Sequence, residues 1–272
     1  PRDSTPKVLT PSADGVTVYQ NDLASIDASN TSQGYVMVKY NGTNEKVKLQ
    51  ITCPDQSCYT YLISDRGAYD TFPLTAGNGS YALQVLENVA GDTYTVSLAQ
   101  SINVSIEDEF LPFLYPNQYV NFHTDSKAVS KGSDLAKDTY SDLDVVQNIY
   151  NYVIKNISYD TEKAQNVSYG YVPDIDDTLS SKKGICFDYA ALMTSMLRSQ
   201  NIPTKLEVGY SGDAYHAWIS TYIDDKGWVD DIIQFNGDSW QIMDPTLAAT
   251  NDSAAVKKYV GDGSHYVVKY TY

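Results

Sequence analysis

The period of the apolar residues changes once along this chain, and that change limits what it can fold into. Up to about residue 130, GYVMVKYNG, EKVKLQITC, CYTYLIS, GSYALQVLENV and DTYTVSLAQSINVSI read as short alternating runs. Period-2 alternation is the signature of strands with one buried face. Turn residues such as Asn41-Gly42 and Gly77-Asn78-Gly79 separate the runs. In DLDVVQNIYNYVIKNISY, Val145, Ile149, Tyr152 or Val153, and Ile157 recur at helical spacing instead. Asp142 or Asp144 caps its last segment, or the helix begins near Ser133. In ICFDYAALMTSMLRSQ, Cys186, Ala190, Met193 and Leu197 share one helical face, and Asn201-Ile202-Pro203 ends it. KLEVGY, YHAWISTYI, GWVDDIIQF, SWQIMDP and HYVVKYTY then return to strand patterns.

This order predicts a small antiparallel sandwich over residues 16–106 and an α+β domain over residues 131–272. Residues 1–15 read as a flexible leader, and residues 107–130, rich in Pro and aromatics, as a connecting segment. Residues 160–183 show no clear period and read as a long ordered loop carrying Tyr169 and Tyr171.

The formal net charge is -15. A field of that sign disfavours nucleic acid and anionic membranes as partners. No apolar run is long enough to span a bilayer. The 24 tyrosines, against 6 Phe and 3 Trp, suit strands and binding surfaces. With few Arg and many Asn, Ser, Thr and Asp, the composition points to an extracellular or cell-surface protein. The opening PRDSTP reads as a processed start, with surface attachment through a missing N-terminal region.

Cys53 and Cys58 in ITCPDQSCYTY read as a small disulfide closing a hairpin. Cys186 is left over, at the start of a helix, where the helix end favours a thiolate and can receive an oxyanion. A helix-start Cys is also commonly a small buried hydrophobe. His216 shares a strand face with Trp218 and is the natural base among three histidines; His123 and His265 read as structural. Asp244, before Pro245, can accept from an imidazole or simply make a turn. Asp188 in the first helical turn reads as a residue that favours the positive helix end, and Tyr189 as core. Tyr169, Tyr171, Tyr215 and Trp218 are candidates to line a cleft.

Taken together, GICFDYAALMTSMLRSQNIPTKLEVGY, YHAWIS and WQIMDPT resemble the core of the transglutaminase-like superfamily, related to papain-type thiol enzymes. The resemblance rests on Gly184, Cys186, Tyr189-Ala190, Leu197-Arg198, Asn201-Ile202-Pro203, His216-Ala217-Trp218 and Trp240 through Thr246, and covers about residues 145–250. It implies Cys186 as nucleophile, His216 as base and Asp244 as orienter. The front sandwich, expected to be immunoglobulin-like, resembles domains attached to such cores in bacterial secreted proteins. Three departures stand out. Ile219 and Ser220 follow His-Ala-Trp in place of an acidic or amide residue. The extra DDKGWVDDIIQFNGDS supplies Trp228, Asp230 and Asp231 as rivals to Trp240 and Asp244. Asn201 stands where Gly is usual, and Asn tolerates the same left-handed backbone.

The implied chemistry is thioester formation on an amide, followed by water or an amine. A cysteine peptidase or amidase acting on peptide, protein or cell-wall peptide leads; a protein-crosslinking transglutaminase and a non-catalytic adhesion or binding module are the alternatives. No cofactor or metal is implied, and no calcium-binding pattern is present. The Cys186 N–H is one oxyanion donor, and the second is sought in residues 159–172.

Overall fold

In the computed structural model, which describes residues 1–211, 214–244, 248 and 268–272, the chain divides into two units. One is Thr10–Pro112; the other joins Pro1–Leu9 to Phe113–Tyr272. Pro245, Thr246 and His265 lie outside the described residues.

The first unit holds eight strands: β1 (Val18–Gln20), β2 (Ala24–Asp27), β3 (Tyr35–Tyr40), β4 (Val47–Thr52), β5 (Cys58–Leu62), β6 (Asp70–Pro73), β7 (Gly79–Ala90) and β8 (Thr93–Val104). They form two four-stranded sheets, β1-β2-β3-β6 and β5-β4-β7-β8. All their pairings are antiparallel. Alternation explains the burial: on β4, Val47, Leu49 and Ile51 point inward while Lys48, Gln50 and Thr52 are partly exposed. Tyr61 of one sheet meets Phe72 of the other edge-on, with ring centres 4.8 Å apart.

The β4–β5 hairpin corrects the expected Cys53–Cys58 disulfide, because both thiols are free. Thr52, not Cys53, stands opposite Cys58. The Cys53 N–H donates to the Ser57 carbonyl inside the turn. Cys53 is buried and Cys58 exposed.

The second unit contains α1 (Lys127–Ala136), α2 (Asp142–Asn156), β9 (Ser158–Tyr159), α3 (Thr161–Asn166), α4 (Ile175–Ser181), β10 (Lys183–Gly184) and α5 (Cys186–Ser199). Strands β11 (Thr204–Ser211), β12 (Ala214–Ile223), β13 (Gly227–Phe235), β14 (Trp240–Ile242) and β15 (Val268–Thr271) follow. The last five form an antiparallel sheet in the order β14-β13-β12-β11-β15. Helix α5 is buried at Cys186 and at every residue from Asp188 to Ser199. A helix covered on all sides is the core element of its domain. After it, Asn201 takes the left-handed backbone expected of it, with φ 60°.

Several boundaries differ from the expected ones. The leader is not loose over its first nine residues. Arg2 Nε pairs with Asp142 at 2.6 Å, the Lys7 N–H donates to Ser199 at 2.8 Å, and Ser133 Oγ donates to the Ser4 carbonyl at 2.8 Å. The connecting segment is divided between the units after Pro112. Neither Asp142 nor Asp144 caps α2: Ser141 does, its Oγ accepting from Asp144 N–H at 3.2 Å. The expected loop over residues 160–183 contains α3, α4 and the first residue of β10. Asp160 and Asp174 cap the two helices by accepting from Lys163 and Asp177 N–H. Helices of 6 and 7 residues span under two turns, too short for a period to show in sequence.

Candidate active site

Cys186 is the first residue of α5, after Ile185 in extended backbone. The Asp188 carboxylate reaches back to accept the Ile185 N–H at 2.9 Å, satisfying one of the orphan donors of the helix start. Gly184 makes room for it: a Cβ there would stand 2.8 Å from the Asp188 Cβ. That contact is a physical reason for glycine two residues before the cysteine.

Asp188 does more than favour the helix end. It is fully buried, accepts the Tyr171 O–H at 2.6 Å and pairs with Lys163 Nζ at 2.9 Å. The Lys163 ammonium also lies 4.6 Å from the centre of the Tyr171 ring. Burial pulls the Lys163 pKa down, but its hydrogen bonds to Tyr171 and Asp188 outweigh this and raise it. Burial, then the bond to Asp188, push the Tyr171 hydroxyl up to about 12. These contacts tie residues 163–171 to the helix start. Asp188→Asn is expected to lower stability by about 2–3 kcal/mol, because Lys163 keeps its charge and loses its partner. Denaturant unfolding checks this; a loss under about 0.5 kcal/mol would show the pair to be surface-like.

A cavity of ≈ 350 Å³ opens at Cys186. Of the expected cleft residues, Tyr171 and Tyr215 line it, and Tyr119, Tyr159, Phe187 and Tyr210 join them. Tyr169 is not among the lining residues and is 69% exposed, while Trp218 is buried within the sheet. The four additional rings come from separated parts of the chain, and no local motif marks them. The Tyr215 hydroxyl is enclosed and has no protein partner among the described residues. Burial, then the neighbouring Cys186, raise its pKa well above the ordinary tyrosine value.

The thiol itself departs from expectation. Burial pushes Cys186 up to about 12, and the N–H groups of Phe187 and Cys186 only partly offset this. A helix start stabilises a thiolate, but loss of hydration outweighs that here. Cys186 therefore rests as a thiol at neutral pH.

His216 shares a face of β12 with Trp218, and their rings stack at 5.4 Å. Ala217 lies in a row with Val208, Phe235 and Trp240 across the sheet. Trp240 stacks on Tyr189 of α5 at 5.8 Å, which identifies that row's face as the one against the helix. Tyr215 is on the same face as Ala217, so the described register aims Tyr215 toward α5 and His216 away from it. Burial lowers the His216 pKa, which favours the neutral imidazole.

Asp244 lies beyond the end of β14, four residues past Trp240. Its carbonyl accepts the Ala248 N–H at 2.9 Å. The rival Asp231 is buried at a left-handed position, φ 55°, and donates its N–H to Ser220 Oγ at 2.9 Å. Trp228 packs against Phe113 and Tyr222, and Asp230 is exposed. The structure thus brings Cys186, Tyr171 and Tyr215 together at one cavity.

Two curated proteins match about a third of this chain. A UPF0252 protein of Methanocaldococcus jannaschii is 32% identical over 98 residues, which is 32% of this chain and 28% of that protein. The kyphoscoliosis peptidase of Mus musculus is 30% identical over 107 residues, 35% of this chain and 16% of that protein. The alignments therefore span less than a third of either relative. Among solved structures, a candidate cysteine protease from Cytophaga hutchinsonii covers 94% of this chain and 80% of its own, at 14% identity and a TM-score of 0.39. The family model of the transglutaminase-like superfamily matches residues 130–230, a stretch that includes Cys186 and His216 and stops before Asp244. Residues 130–230 of this chain are thus similar to that superfamily.

Proposed function

We propose that the second unit is a thiol acyl-transfer enzyme acting on amide bonds of peptides or proteins, as a cysteine peptidase or amidase. One observation carries the reading: Cys186 begins a buried helix in the transglutaminase-like stretch and faces a cavity large enough for part of a peptide. Its sulfur attacks the amide carbonyl, a thioester forms, and the amine leaves with a proton. Water then cleaves the thioester. The free N–H groups at the start of α5 suit the oxyanion that forms on the way. The peptidase among the relatives supports hydrolysis over crosslinking.

In this reading His216 is the base and Asp244 the orienter, both on the strength of their motifs. The described register places His216 on the face opposite Tyr215, so a working Cys186–His216 pair requires the two to exchange faces. A one-residue slip of a strand does this. That same register is what favours a second reading, a binding module without catalysis. No helix among the described residues is long and apolar enough to cross a membrane. An extracellular or cell-surface location is part of the proposal and rests on composition alone, since Cys53 and Cys58 are both free thiols. For the first unit, the division of strands into β1-β2-β3-β6 and β5-β4-β7-β8 supports an immunoglobulin-like sandwich.

The pH profile of Cys186 alkylation separates the readings. A thiol with a pKa near 12 is protonated throughout the neutral range, and its thiolate fraction falls as pH falls. Iodoacetamide labelling of the resting form is expected to rise about ten-fold per pH unit from pH 6 to 10, without a plateau. A peptide electrophile that recruits His216 should instead label at a near-constant rate around neutrality and lose that rate in His216→Ala. If both reagents follow the same steep line and His216→Ala changes neither, the catalytic reading fails. Asp244→Asn completes the test: an orienter costs orders of magnitude in rate, whereas less than a three-fold change leaves Asp244 as a turn residue.

A further inference from the structure

The cavity beside Cys186 is larger than a thiol needs. Its ≈ 350 Å³ falls at the lower end of ligand pockets, which run from about 300 to 1,000 Å³. Tyr119, Tyr159, Tyr171, Phe187, Tyr210 and Tyr215 supply its rings, and no charged side chain lines it among the described residues. The nearby ions, Lys163 and Asp188, are already engaged with each other and with Tyr171. The walls are assembled in advance: Tyr119 packs on Phe187 at 5.2 Å, and Tyr210 meets Tyr215 edge-on at 5.7 Å. One buried polar atom of the wall, the Tyr215 hydroxyl, has no protein partner among the described residues. An enclosed hydroxyl left this way favours a ligand that accepts its hydrogen bond.

Resting on the proposed thiol chemistry, we infer that this cavity receives an uncharged apolar or aromatic side chain of a peptide substrate, with the Tyr215 O–H donating to a backbone carbonyl of the same peptide. An ionised side chain placed there loses its water and finds no counter-charge. An aromatic side chain finds ring edges and faces on several sides. The chain's net charge of -15 further disfavours acidic peptides during approach. Tyr210 and Tyr159, 56% and 46% exposed, form the rim that such a side chain passes.

The test reads binding apart from chemistry. The full chain carrying Cys186→Ala is titrated with acetyl-Gly-X-Gly-amide peptides, X being Phe, Leu, Asp or Lys, and followed by saturation-transfer NMR. Phe and Leu are expected to bind at least about ten-fold more tightly than Asp or Lys. Ala164→Leu and Val167→Trp, each added to that background, narrow the cavity from partly exposed positions. Each is expected to remove that preference, with the thermal midpoint confirming that the fold is kept. Tyr215→Phe is expected to weaken all four peptides by a similar factor, because it removes a backbone contact. Equal binding of the four peptides, tighter binding of a charged one, or no binding at all overturns the inference. The thiol chemistry is judged separately, by labelling of wild-type Cys186, so either idea can fail while the other stands.

Discussion

Cys186→Ala is expected to abolish amide turnover and active-site labelling, with a fall in rate of at least about 10⁴. The sulfur is the bond-forming atom of the proposed mechanism. Cys53, the other buried thiol, lies in the first unit's β4–β5 hairpin. Folding should survive the change. The residue is small and buried at the first position of α5, where alanine is well accommodated. The measurement is mass spectrometry on a glutamine-containing peptide library, with and without a primary amine. Cleavage products that vanish in the variant support a peptidase. A one-dalton gain points to an amidase, and amine adducts to a crosslinker. If the variant keeps a hundredth of the wild-type rate, Cys186 is not the nucleophile.

Arg198→Ala should be the most damaging single change to stability in the second unit, costing about 3–5 kcal/mol. Arg198 is 1% exposed, near the end of α5. Its Nε and Nη2 donate to the Thr204 carbonyl at 3.1 and 2.8 Å, Nη1 to Tyr115 at 2.8 Å and Nη2 to Tyr272 at 2.8 Å. One side chain thereby ties the core helix to the segment before α1, to the start of β11 and to the last residue after β15. Burial pulls its pKa down to about 9, which still leaves it charged at neutral pH. Alanine removes all four bonds and leaves three carbonyls and a void. For a unit of this size the loss corresponds to a drop in Tm of roughly 6–20 °C. Arg198→Lys should recover little, since an ammonium lacks the planar fork that reaches three directions. Thermal unfolding followed by circular dichroism reads this, and a drop under about 3 °C for Arg198→Ala contradicts it.

The Leu197-Arg198 pair illustrates how function and architecture mix within one motif. It belongs to the resemblance to thiol enzymes, yet its arginine serves the frame that holds α5. Gly184 is similar: its place two residues before Cys186 follows from the space that Asp188 takes up. Motifs of this kind carry both chemistry and packing, and only contacts separate the two.

Much of the second unit is legible in the order of its residues. Alternation marks β11 to β13, and helical period marks α2 and α5, because each is long enough for its period to repeat. The same alternation assigns His216 and Trp218 to one face. Left-handed Asn201 follows from side-chain chemistry. Cys186 at a helix start follows from the apolar period beginning there and the family motif around it.

Other features depend on residues far apart in sequence. The Lys163–Asp188–Tyr171 cluster, the docking of residues 1–9, the six rings around Cys186 and the four bonds of Arg198 all arise from tertiary packing. The protonation of Cys186 is of this kind too. A helix start lowers a thiol's pKa and can be read locally, while burial raises it and depends on what surrounds the sulfur. Which face of the sheet meets α5 is likewise a tertiary matter: alternation says that Tyr215 and His216 point in opposite directions, but only packing of Tyr189 on Trp240 shows which one points toward the helix. The chain by itself determined the longer elements and the reactive residue types; the tertiary structure decided the neighbours of Cys186, because desolvation and contact are properties of surroundings rather than of residues in order.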